Sequence, residues 1–109
     1  MPTSLLLMLC TVPDRGTAER LAGMLVEQEL AACVNLSAPI TSIYRWQGKT
    51  EQSEEILLLI KTTKVRYQAC ESALRAEHPY ELPEIIAVPV EQGLDDYVNW
   101  VERCTNQSI

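Results

Sequence analysis

The chemistry open to this chain is bounded first by a single histidine, His78, and four cysteines, Cys10, Cys33, Cys70 and Cys104. A thiolate and an imidazole are suitable donors for copper or zinc, and Glu77, immediately before His78, or Glu81 or Glu84 after it, could add an oxygen ligand. No two cysteines form a Cys-x-x-Cys pair, so the spacing of a zinc knuckle or a thioredoxin site is absent, and buried free thiols are expected for most of them. The competing assignment gives His78 to the carbonyls at a helix end and Cys10 to packing. One histidine leaves no triad beyond Cys10 and His78, and no glycine-rich phosphate loop occurs, so a non-enzymatic role is expected.

A second group could line a cleft. Tyr44 and Trp46 alternate onto one strand face before Gln47-Gly48-Lys49, while Tyr80, Glu81 and Glu84 follow His78 closely. Interface packing for the aromatics and solvation for the carboxylates are the alternatives.

These residues need a frame to position them. A chain of 109 residues has the length of one domain, taken here as residues 1–109. Ser4 to Thr11 reads as a buried strand ending at Pro13-Asp14, and Asp14 or Thr17 can cap a helix with Leu21, Ala22, Leu25 and Leu30 on one stripe. Ala31 to Leu36 and Ile40 to Trp46 read as one long strand with a bend or bulge at Ser37-Ala38-Pro39. The return strand starts in the polar stretch Thr50 to Glu55, which should project beyond the sheet, and turns apolar over Ile56 to Ile60. Thr63 can cap a helix through Glu77 with Val65, Ala69, Cys70, Ala73 and Leu74 inward. Pro83 to Val90 is a last main strand, and Asp95 or Asp96 opens a helix carrying Tyr97, Trp100, Val101 and Cys104, with a fraying tail beyond Thr105. The order β-α-β-β-α-β plus a helix predicts an α+β, ferredoxin-like split βαβ antiparallel sheet with its two main helices on one face. That plan brings Cys10 and His78 to one end of the molecule.

Leu5-Leu6-Leu7-Met8-Leu9 and Ile56-Leu57-Leu58-Leu59-Ile60 do not alternate apolar with polar, so both faces of two central strands call for burial. A short terminal helix cannot cover the face the main helices leave, and association with further copies is expected.

Net charge narrows the partners. At -6 the chain repels phosphate backbones and anionic headgroups, so no nucleic acid and no membrane are expected, whereas cations are concentrated. No apolar run reaches the roughly 20 residues that span a bilayer, and the apolar start lacks the basic flank of a signal peptide. A cytoplasmic location follows as the expectation.

The strings Cys10-Thr11-Val12-Pro13-Asp14, Leu30-Ala31-Ala32-Cys33-Val34-Asn35, Thr41-Ser42-Ile43-Tyr44-Arg45-Trp46-Gln47-Gly48-Lys49, Ile60-Lys61-Thr62, His78-Pro79-Tyr80-Glu81 and Pro83-Glu84, in this order, resemble the CutA family from about Leu5 to Val101. The resemblance implies a cytoplasmic homotrimer linked to tolerance of copper and other divalent cations. It adds Lys61 to the cleft, brought there by a neighbouring subunit. The architecture also resembles the trimeric PII signal proteins, so an effector sensor or interaction scaffold binding a small molecule at subunit clefts is the alternative. Two departures stand out. Ala38-Pro39 replaces the usual Pro-Gly, and Glu77 stands where some members carry a second histidine, which removes a two-histidine copper site within one subunit.

Overall fold

The first apolar run becomes a strand, β1 (Leu5–Val12), in a computed structural model that describes residues 2–106. Asp14 then caps α1 (Arg15–Glu27), its carboxylate accepting from the Thr17 N–H at 2.8 Å. The helical stripe holds at Leu21 and Leu25, buried with Ala18, but the helix ends at Glu27, so Leu30, expected on the same stripe, is buried from the turn beyond it. The chain continues through β2 (Cys33–Leu36), β3 (Ile40–Trp46), β4 (Lys49–Thr63), α2 (Tyr67–Glu77), β5 (Ile85–Pro89) and α3 (Asp95–Thr105).

The stretch read as one bent strand is two strands on one partner. Both β2 and β3 pair antiparallel with β4, and the register advances by one residue between Leu36↔Leu58 and Ile40↔Glu55. Ser37 manages the slip: its N–H donates to the Leu57 carbonyl, and its hydroxyl accepts from the Leu57 N–H, each at 2.9 Å. The turn that follows is tighter than expected, two residues rather than three. Trp46 pairs with Lys49, while Gln47 and Gly48 take φ of 51° and 81°. The polar half of β4 pairs only with β3 and projects from the sheet.

Helix α2 starts later than expected. Thr63 stays in the ladder opposite Leu5, and Arg66 occupies the cap position without a side-chain hydrogen bond to the helix. Val65 consequently lies outside the helix and is 88% exposed instead of packing inward. The fraying expected of the tail concerns, beyond Asn106, residues outside those described.

The sheet order β2-β4-β1-β5, antiparallel throughout, is the ferredoxin-like arrangement. Strand alternation sends Met8, Cys10, Val12, Ile56, Leu58 and Ile60 under α1 and α2, where they pack with Leu21, Leu25, Cys70 and Leu74. The other parity, Leu7, Leu9, Leu57, Leu59, Ile86 and Val88, faces away from those helices. Helix α3 covers only one end of that face, closing Val101 over Leu5 and Ala32. Beyond its reach Ile86 and Val88 remain 50% and 45% exposed.

Candidate functional site

Beyond Cys10, strand β1 has lost β5, whose register ends at Cys10↔Ile85, so Thr11 presents a carbonyl with no ladder partner on that side. His78 supplies one. Its Nε2–H donates to the Thr11 carbonyl at 2.8 Å, while its Nδ1 accepts from the Tyr80 N–H at 3.1 Å. These two bonds define the neutral Nε2–H tautomer and leave neither ring nitrogen with a free lone pair. The imidazole is buried, with the Tyr80 ring 4.9 Å away, centroid to centroid.

Topology thus brings Cys10 and His78 to one end, as expected, but not as a ready pair of donors. Cys10 lies on the helix-covered face with no exposed surface. Burial, reinforced by the negative charges of Glu84 and Glu55, pushes its thiol up from 9.0 to about 12. Glu77 is turned to a different task, accepting from Arg20 at 3.1 Å on the exposed flank where α1 meets α2. Among the described residues no group of three or more His, Cys, Asp or Glu side chains could hold a metal ion within one chain.

What gathers at this end is a tyrosine-carboxylate pair. The Tyr80 hydroxyl donates to Glu55 Oε2 at 2.7 Å, and desolvation together with that bond raises the Tyr80 pKa. Glu55 is itself buried. With Pro13, Asp14, Arg15, Pro39, Glu54 and Ile56 it lines a cleft of about 210 Å³. Glu55 is the site residue that sequence reasoning missed. Its signal was present: it shares strand parity with Leu57 and Leu59 and directly precedes the apolar run, so it had to sit at the rim of the uncovered face.

The other cleft residues divide. Tyr44 stands exposed on the projecting hairpin, its phenol oxygen accepting from the Ser53 hydroxyl at 3.3 Å, and Trp46 is exposed two residues further on the same face. Glu81 and Glu84 are exposed. Lys61 is elsewhere in the chain. It pairs with Leu7, three positions along β1 from Cys10, and belongs to the uncovered face, opposite Cys10, where its ammonium donates to Asn35 and lies 3.9 Å from the Cys33 sulfur.

Comparison with known proteins agrees with the resemblance. Residues 6–104 match the family described as CutA1 divalent ion tolerance protein. The divalent-cation tolerance protein CutA of Thermus thermophilus is 44% identical over 97 residues, covering 89% of this chain and 94% of that one. Protein CutA of Mus musculus is 45% identical over 105 residues, 96% of this chain but only 59% of the mouse protein's length. The crystal structure of CutA from Xylella fastidiosa superposes with a TM-score of 0.93 at 44% identity, covering 95% of this chain and 100% of the other. With that extent of sequence and fold in common, this chain belongs to the CutA1 divalent ion tolerance family.

Proposed function

We propose that this chain serves divalent-cation tolerance as a single-domain subunit of a cytoplasmic homotrimer. The observation that carries the proposal is the uncovered sheet face, a patch of Leu7, Leu9, Leu57, Leu59, Ile86 and Val88 that neither the main helices nor α3 closes. Burying each such side chain stabilises by about 1.5–3 kcal/mol, and further copies of the chain offer the matching surface. The Tyr80–Glu55 pair stands at the rim of this face, so assembly would deepen the cleft there and could bring a neighbour's Lys61 toward Tyr44, Trp46, Tyr80, Glu81 and Glu84.

Copper or another divalent cation is the ligand this proposal implies, and its most direct form places copper on Cys10 and His78 with Glu77 beside them. That form has a defined requirement: His78 must give up one of its two bonds, to the Thr11 carbonyl or to the Tyr80 N–H, Cys10 must lose its proton, and Glu77 must turn in from the exposed flank where it meets Arg20. Copper titration of wild type, Cys10→Ser and His78→Ala, with the other cysteines replaced, tests it. A loss of affinity in both variants supports direct coordination there. Equal affinity in all three proteins eliminates it.

A second reading is favoured by the aromatic rim, Tyr44, Trp46 and Tyr80, which suits an organic effector at a subunit cleft better than a bare cation. Thermal-shift screening against nucleotides and small metabolites checks this, since a ligand that prefers the folded trimer raises its melting temperature. A response to cations alone would reject the effector reading.

A further inference from the structure

At the opposite end of the sheet from His78, a recess of about 570 Å³ opens between the end of β4, the start of α2 and the outer side of α3. Ser4, Thr63, Arg66, Asn99, Glu102 and Arg103 are among its walls. This volume falls in the range of small-molecule sites. Its charge is the reverse of the chain's: two guanidinium groups face one carboxylate in a protein of net charge -6. That carboxylate is already engaged, since Glu102 accepts a hydrogen bond from the Ser4 hydroxyl.

Arg66 is the unusual member. Its Nε is sealed from solvent and has no hydrogen-bond partner among the described residues. A buried N–H without an acceptor is costly and rare, and a guanidinium seeks a planar oxyanion that takes two N–H bonds at once. Arg103, on the last turn of α3, makes no ion pair either, so neither cation is paired with a carboxylate among the described residues. Arg66 also holds the cap position of the eleven-residue α2 without capping it, which adds the positive end of a helix dipole to the same corner.

We propose that this recess binds a small oxyanion, a phosphate or carboxylate group carried by a metabolite, through Arg66 and Arg103. The site is separate from the Tyr80–Glu55 end and does not depend on a cation. Calorimetric titration of the full chain with inorganic phosphate and with citrate, in a zwitterionic buffer at low chloride, tests it. One saturating equivalent per subunit is expected from at least one anion. Phosphate alone identifies a phosphate-bearing ligand, and citrate alone a carboxylate-bearing one. Arg66→Met and Arg103→Met should each weaken binding by roughly tenfold or more, whereas Arg75→Met, outside the recess, should not. Because Arg66→Met could disturb the start of α2, Arg66→Lys provides the second measurement: it keeps the charge, and its melting temperature should hold while affinity still falls. No binding of either anion at about 10 mM overturns the proposal, as does binding that both methionine variants leave unchanged.

Discussion

His78 illustrates how a residue that sequence analysis singles out for coordination is taken up by backbone accounting. The sequence placed it at a helix exit near the end of β1, and both placements are observed, yet its ring serves a strand carbonyl and not the helix end. That Thr11 would lack a β5 partner depends on where the strand register stops, which no residue string states. His78→Ala should leave the buried Thr11 carbonyl with only the weak, 3.9 Å bond from the Cys10 thiol and destabilise the fold by about 1–3 kcal/mol, readable as a lower urea midpoint at unchanged slope. Cys10 makes a complementary prediction through its proton. Its thiol is raised from 9.0 to about 12 in the folded state, so the unfolded chain ionises first. The stabilising contribution is complete below pH 9.0 and is lost as pH climbs toward about 12. Tyr80, also raised, acts in the same direction. Cys10→Ala should therefore flatten part of the alkaline fall in denaturant midpoint. In the native protein at pH 8, alkylation followed by mass spectrometry should label half-buried Cys33 and Cys104 while Cys10 and Cys70 stay protected.

Elements carry the features that period and turn chemistry can specify. The split βαβ order, the Asp14 cap and the unalternating runs were legible because each rests on local pattern. What escaped was set by pairing. Thr63 has cap chemistry, but its place opposite Leu5 in the register keeps it in β4 and delays α2 to Tyr67. The double partner of β4 was likewise hidden, since one register slip at Ser37 turns a bend into two strands. At the hairpin tip the glycine is where the backbone needs one: Gly48 at φ 81° sits in the left-handed region that a side chain resists. Gly48→Val should cost on the order of 1–2 kcal/mol, seen as a lower melting temperature by circular dichroism. The added Cβ meets no atom within 4 Å, so the loss comes from backbone conformation and not from a clash. Gly48→Asn, which tolerates that conformation better, should recover most of it.

At the scale of the whole molecule, two adjacent leucines on β4 separate folding from assembly. Leu58 has no exposed surface and packs between the sheet and the main helices; Leu59, paired with Leu9, belongs to the patch those helices leave open. The two side chains point to opposite faces because strand alternation has a period of two. A carboxylate at the first position would be stranded in the core, which costs several kcal/mol, a large fraction of a small domain's stability. Leu58→Asp should abolish the cooperative melt. At the second position the carboxylate meets water in an isolated subunit and an apolar neighbour in an assembled one. Leu59→Asp should accordingly keep its secondary structure yet fall from three times 12.3 kDa to a single chain's mass in light scattering at micromolar concentration. Val88→Asp, in the neighbouring row opposite Leu7, should do the same. If Leu59→Asp and Val88→Asp both stay assembled, this sheet face is not where the subunits meet. If wild type itself is a stable single chain, the patch has another cover. A folded single-chain Leu59→Asp would also place the Tyr80–Glu55 end in isolation, so any ligand it fails to bind while the wild type succeeds must depend on a residue supplied by the neighbouring subunit.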